Sequence, residues 1–122
     1  SIYEILELCY ALNSKAHPSP LAENAKQLID ENYADPEFSI ESLAQILYTS
    51  PSTLRRVFSD RFGIPPKQYI MKVRLNTAAM LLSQDFSSVL EASKRSGFND
   101  EHYFSRIFKK RYGKSPSHFN KN

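Results

Sequence analysis

An all-α fold is predicted for this chain of 122 residues by three features of its sequence. Apolar residues recur at helical spacing, no stretch sustains the period-two alternation of a half-buried strand, and one pattern of helix-start and helix-stop signals occurs twice. Sliding the chain against itself by 50 residues aligns Arg56 with Arg106, Phe58 with Phe108, Arg61 with Arg111, Gly63 with Gly113 and Pro66 with Pro116. The same offset pairs Leu54, Val57, Phe62 and Tyr69 with Phe104, Ile107, Tyr112 and Phe119. Further upstream, at an offset of 49, Ile40, Leu43 and Ala44 face Val89, Ala92 and Ser93. Two copies are too few for a solenoid, so the repeat reads as a duplicated compact module.

Each element has a local cause. Ile2, Ile5, Leu6, Cys9 and Leu12 line one side of an acidic amphipathic helix, followed by the linker-like stretch Asn13 to Ser19. The apolar face of that helix suits a companion domain, a second copy or this domain's own surface. Ser19 and Pro20 look like a cap and first position for a helix with the apolar face Leu21, Ala25, Leu28, Ile29 and Tyr33, and Pro36 ends that segment. In the first copy of the repeat, Ser39 is the N-cap candidate for a short helix through Ile40, Leu43, Ala44 and Leu47 that ends near Tyr48 and Thr49. Ser50 caps the next helix and Pro51 suits its first position, where a missing N–H costs nothing. Leu54, Val57, Phe58 and Phe62 then form one buried stripe before Gly63 stops the helix.

Pro66 opens a connecting helix to about Ser83, ~25 Å long at ~1.5 Å per residue, with Tyr69, Ile70, Val73, Ala78, Leu81 and Leu82 as its buried residues. The second copy offers Val89 to Arg95, a turn from Gly97 to Asn99, and a longer helix from Asp100 to Tyr112 with Gly113 just past its end. Ser115 and Pro116 begin a last short turn carrying Phe119, and residues 120–122 are expected to fray. The expected organisation is therefore 1–19 as helix and linker at the end of a missing companion domain, 20–65 as a first helix-turn-helix unit, 66–84 as the connecting helix, and 85–122 as the second unit.

Composition narrows the function. The single cysteine, Cys9, cannot form an internal disulfide, so the cytoplasm is the expected compartment. No apolar run approaches the roughly 18 residues of a membrane span, and the opening stretch lacks a basic flank or cleavage pattern, so membrane and secretory readings are not expected. Three isolated glycines provide no phosphate-cradling loop, and His17, His102 and His118 share no metal-ligand spacing. Acidic neighbours such as Asp30-Glu31 and Asp100-Glu101 are pointed apart by helical geometry, so neither an enzyme nor a cofactor is expected.

Charge is distributed unevenly. Residues 1–49 hold two basic and eight acidic residues, a net −6, whereas residues 50–122 hold fourteen basic and five acidic, a net +9. Concentrated positive charge favours a polyanion, because neutralising phosphates releases condensed counterions, so nucleic acid is the leading partner; a merely solvated basic face stays open on charge alone.

The run Ser39-Ile-Glu-Ser-Leu-Ala, then Ser50-Pro-Ser-Thr-Leu-Arg-Arg-Val-Phe to Gly63, then Arg74-Leu-Asn-Thr-Ala-Ala-Met-Leu-Leu82, then Gly97-Phe-Asn-Asp-Glu-His-Tyr-Phe-Ser-Arg-Ile-Phe-Lys-Lys-Arg-Tyr-Gly-Lys-Ser-Pro116 resembles the DNA-binding domain of AraC/XylS-type bacterial transcription regulators. The resemblance covers roughly residues 20 to 119 and is densest from Gly97 to Pro116. It implies seven helices in two helix-turn-helix subdomains joined by a long helix, acting in the cytoplasm on promoter DNA. RNA polymerase and an amino-terminal sensing or dimerising domain are the further partners implied. The chain departs from the family pattern at Ala92-Ser93 and at Ser96, where aliphatic residues are usual. Losing such a side chain forfeits ~1.5–3 kcal/mol of burial, so the second subdomain is expected to be looser unless Leu90 or a neighbour compensates.

Groove geometry then sorts the candidate residues. A recognition helix presents its amino-terminal half and outward face to base edges in the major groove. With Leu54, Val57 and Phe58 pointing inward, the first such face is Ser52, Thr53, Arg55, Arg56 and Ser59. Arg55 and Arg56 lead, since a guanidinium can fork onto guanine, and the resemblance implies base reading from Ser52, Arg55 and Arg56. An internal ion pair or a phosphate contact stays open for Arg56, which repeats as Arg106. The second outward set is Glu101, His102, Tyr103 and Arg106, with His102 and Arg106 leading and Glu101 equally suited to the positive helix start. Phosphate contacts are expected from Lys67, Ser105, Lys109, Lys110, Arg111, Lys114 and Ser117. Arg61 and Arg111 lie late on their helices, where a cation offsets the dipole, and Arg74 is expected to tie the connecting helix to a nearby Asp or Glu. Two readers on one chain predict a site spanning two major-groove faces ~34 Å apart. The alternative is a helical protein-interaction module without sequence-specific DNA binding.

Overall fold

The computed structural model describes residues 20–84 and 88–119, and these form seven helices with no strand among them. The expected amino-terminal helix, its linker, Cys9, the Ser19 cap and residues 120–122 lie outside the described residues. In chain order the helices are α1 (Pro20–Asn32), α2 (Ile40–Ile46), α3 (Pro51–Phe62), α4 (Pro66–Ser83), α5 (Val89–Arg95), α6 (Glu101–Tyr112) and α7 (Pro116–Phe119).

The helix starts follow from side-chain oxygens that satisfy otherwise orphaned amides. Ser39 accepts from the Ser42 amide at 3.2 Å, Ser50 from Thr53 at 3.1 Å and Ser88 from Glu91 at 3.1 Å. Asp100 Oδ1 accepts from both His102 and Tyr103, at 3.0 and 3.2 Å, placing a carboxylate at the positive end of α6. At the far ends of α3 and α6, Gly63 and Gly113 adopt left-handed φ values of 80° and 78°, each donating its amide back to the helix at 2.8 Å.

The duplication extends to the hydrogen bonds of the two turns. After α2, Leu47, Tyr48 and Thr49 donate to the carbonyls of Leu43, Gln45 and Ala44. After α5, Ser96, Gly97 and Phe98 donate to those of Ala92, Lys94 and Ser93, the same three bonds displaced by 49 residues. Tyr48 and Gly97 occupy equivalent positions with positive φ, 55° and 104°. The reversal therefore begins earlier than expected: α2 ends at Ile46, and Tyr48 and Thr49 belong to the turn. Likewise α1 ends at Asn32, so Tyr33 lies in the segment after it rather than on its apolar face.

The chain divides into two compact units, with described residues 20–29 and 39–69 in one and 30–38 and 70–119 in the other. The 66–84 segment is thus shared: the first turn of α4 belongs to the first unit and the rest to the second. In the first unit Ala25, Ile29, Leu43, Leu54 and Phe58 are fully buried, and Phe58 stacks obliquely with Phe62 and Tyr69 at centroid separations of 4.8 and 5.7 Å. The core of the second unit joins Leu75, Ala78, Leu81 and Leu82 of α4 to Ala92, Phe98, Phe104 and Phe108. Its aromatic chain runs Phe98–Phe104–Phe108 at 4.9 and 5.5 Å and closes edge-on at Phe119 of α7, 5.1 Å from Phe108.

Ser93 and Ser96 are buried in that core, and neither hydroxyl is orphaned. Ser93 Oγ donates to the Leu90 carbonyl at 2.8 Å, and Ser96 Oγ to those of Ala92 and Ser93 at 2.6 and 3.2 Å. Local back-bonding thus removes the penalty of burying the hydroxyl but does not replace lost apolar burial. Leu90 does not compensate either, since it is 45% exposed.

Candidate nucleic-acid interface

Each of α3 and α6 is built as a two-sided rod. Leu54 and Phe58 bury one side of α3, which leaves Ser52, Arg55 and Arg56 exposed on the other, with Thr53 and Ser59 half-buried at the margin. Phe104 and Phe108 do the same for α6, leaving Glu101, His102, Tyr103 and Arg106 exposed and Ser105 half-buried. Helical spacing makes this outcome local: residues three and four apart share a face, so an apolar stripe on one side dictates what the opposite side presents.

The outward residues differ in how far the protein already engages them. No carboxylate among the described residues lies within ion-pair distance of Arg55, Arg56 or Arg106. Arg106 instead lies over the Tyr103 ring, 5.4 Å from its centroid, an arrangement that lines up a planar cation and an aromatic on one surface. Thr53 is more committed to structure, because its amide and its Oγ1 both bond to Ser50 Oγ, at 3.1 and 2.9 Å.

Among the expected phosphate contacts, Lys67, Lys109, Lys110, Lys114 and Ser117 are exposed, as is Arg111. Glu101, His102, Ser105 and Ser117 come together with Val89, Ser115 and Pro116 around an open cavity of about 400 Å³ at the start of α6. Ser115 Oγ lies 2.7 Å from His118 Nδ1 and 3.2 Å from Ser117 Oγ, fixing the polar edge of this cavity. Lys67 belongs to the first unit and the remaining phosphate candidates to the second.

Two other cations are structural. Arg61 Nε lies 2.8 Å from Glu23 Oε1, outside hydrogen-bond alignment, so the pair is a half-buried ion pair joining α3 to α1, and the guanidinium also covers Phe62 at 5.0 Å. Among the described residues Arg74 pairs with no carboxylate, unlike the expectation. Its Nε donates to the Tyr33 carbonyl at 2.8 Å and its Nη2 to those of Asp35 and Phe38 at 3.0 and 3.2 Å. Burial pulls its pKa below the usual arginine value, opposed by the charge of Asp35 and more weakly by Tyr103. The backbone carbonyls have no sequence signature. The one available signal was Gly97-Phe98, a glycine whose positive φ and tight surroundings mark where the Arg74 clamp lands.

The model of a family described as "Helix-turn-helix domain" matches residues 43–122. The chain is 36% identical over 118 residues to the arabinose operon regulatory protein of Escherichia coli K12, covering 94% of this chain and 40% of that protein. It thus spans about 40% of the length of the curated relatives it matches. The structure superposes on the C-terminal domain of AraT, a response regulator from Geobacillus stearothermophilus, with a TM-score of 0.81 and 33% identity, covering 88% of this chain and 87% of that one. It also superposes on the DNA-binding domain of AdpA, a global transcriptional factor solved in complex with a target DNA, with a TM-score of 0.76 and 30% identity, covering 84% and 91%.

Proposed function

The chain belongs to the AraC-type helix-turn-helix family, and from that premise we propose that it binds double-stranded DNA with sequence preference, with α3 and α6 as recognition helices in successive major grooves. The observation that carries this reading is the repeated turn: the same three backbone bonds in each unit lead into a capped helix of 12 residues whose outer face presents arginines with no ion-pair partner among the carboxylates of the described residues. Arg55, Arg56 and Arg106 are suited to guanine, His102 and Ser52 to further base edges, and Lys67, Lys109, Lys110, Lys114 and Ser117 to phosphates. Thr53 and Glu101 contribute more to the helix starts than to base reading. The basic charge beyond residue 50 supplies the long-range attraction.

In the whole protein this part works in the cytoplasm beside an amino-terminal sensing or dimerising domain, regulates transcription through RNA polymerase, and performs no catalysis. Binding titrations over a salt series test the sorting of contacts. Arg55→Ala should relax base preference at one position by about tenfold, the scale of a single bidentate contact. Lys109→Ala should weaken all sequences alike and lower the salt slope by about one. Equal effects from both variants would refute the assignment, and absence of salt-sensitive binding up to ~10⁻⁴ M protein would favour a helical protein-interaction module instead.

A further inference from the structure

We propose that Arg74 is a positioning residue for the second recognition helix: it staples the 33–38 segment onto the turn that precedes α6 and so sets which bases α6 reads, without itself meeting DNA. The inference rests on the DNA-binding reading above. Its basis is a clamp whose acceptors, among the described residues, are main-chain carbonyls. The Arg74 guanidinium donates to the carbonyls of Tyr33, Asp35 and Phe38, three of the six residues of that segment, and all of these groups belong to the second unit. A planar fork fits three fixed carbonyls in a way an ammonium cannot, so lysine is not an equivalent here.

The clamp bears directly on the turn. A Cβ at Gly97 would strike the Tyr33 carbonyl oxygen and lie 2.8 Å from Arg74 Nε, so the turn backbone rests against both halves of the staple. From Gly97 the chain passes through buried Phe98 to Asp100, whose carboxylate holds the amides of His102 and Tyr103. A displacement at the staple therefore reaches the first turn of α6, where base-reading residues sit. The Asp35 carbonyl end of the clamp is exposed, so water can replace lost donors there and the turn can shift while the core stays folded.

The duplicated unit supplies an internal control. The position equivalent to Gly97 is Tyr48, which is 97% exposed, and Leu21 stands where the second unit has Arg74, because the buried stripe Ala22, Ala25 and Ile29 recurs 53 residues later as Leu75, Ala78 and Leu82. Among the described residues no guanidinium staples the first turn, so loss of Arg74 should disturb one reader and spare the other.

Selection from a random duplex pool, run with the unaltered protein, Arg74→Lys and Asp35→Asn, decides the matter. Asp35→Asn keeps an acceptor for the Glu37 amide, bonded at 2.9 Å, while removing the charge nearest the clamp. Arg74→Lys should lower discrimination by about tenfold at the base pairs assigned to His102 and Arg106, leave those assigned to Arg55 and Arg56 unchanged, and leave the salt slope unchanged. Asp35→Asn should shift the same half of the motif by a smaller factor. Uniform weakening with a shallower salt slope would make Arg74 a phosphate contact and overturn the proposal. So would flattening of both halves, or no change in either. If Arg74→Lys is unfolded while Asp35→Asn selects an unaltered motif, Arg74 serves folding alone and the proposal fails. A failure of the unaltered protein to select any motif would instead remove the DNA-binding reading itself.

Discussion

Tyr48 shows how much a single residue can reveal about what a repeat keeps and what it changes. The turn needs a left-handed residue, and the second copy places Gly97 there while the first places a tyrosine at φ 55° whose side chain is 97% exposed. The left-handed region costs an L residue ~1–2 kcal/mol, and glycine avoids this at the expense of ~0.5–1 kcal/mol of chain entropy. Tyr48→Gly should accordingly stabilise the fold by about 0.5–1 kcal/mol, raising the melting temperature by a few degrees, with DNA affinity unchanged. Thermal unfolding followed by circular dichroism measures it, and a fall in melting temperature would mean that the exposed ring contributes to folding.

At the scale of the element, the caps are the most economical test of why these helices start where they do. Asp100 holds two amides at the positive end of α6, whereas Ser50 holds one at the start of α3. Asp100→Ala and Ser50→Ala should each cost about 0.5–2 kcal/mol, with the larger effect at Asp100, where a charged acceptor is lost. In urea titrations the midpoint should fall at constant slope, and an unchanged midpoint for Asp100→Ala would refute the assigned capping role. The starts capped by Ser39 and Ser50 were legible in the sequence because these residues stand just ahead of apolar stripes, and Pro51, Pro66 and Pro116 mark first positions, whereas the Ser88 cap was not anticipated and Asp100, expected as the first residue of its helix, caps it from outside. The glycine stops at Gly63 and Gly113 were legible for the same kind of reason. The end of α2 was not, because a tyrosine in the left-handed region sends no signal that a glycine would. The Arg74 clamp was hidden too, since its acceptors are carbonyls that every residue carries. The loss of apolar burial at Ser93 and Ser96 was legible from their residue types, but the bonds that satisfy their hydroxyls, to carbonyls of the preceding turn, were not.

For the molecule as a whole, duplication explains both its economy and its asymmetry. The two units share turn bonds, caps and terminal glycines, yet one turn is open at Tyr48 and the other is clamped through Gly97. The outward residues of the candidate interface could be sorted in advance because each follows from an apolar stripe on the opposite side of its helix. How strongly each would engage DNA was less legible, since the Arg61–Glu23 pair and the Ser50–Thr53 bonds depend on neighbours that spacing alone does not supply. Protection of a selected duplex from hydroxyl-radical cleavage, together with its sequence motif, tests the central claim most directly. Two readers on one chain predict a non-palindromic, two-part motif occupied by a single copy, its halves centred about one helical turn or ~10 base pairs apart. A single short motif, or protection that requires two copies on a palindrome, would contradict it.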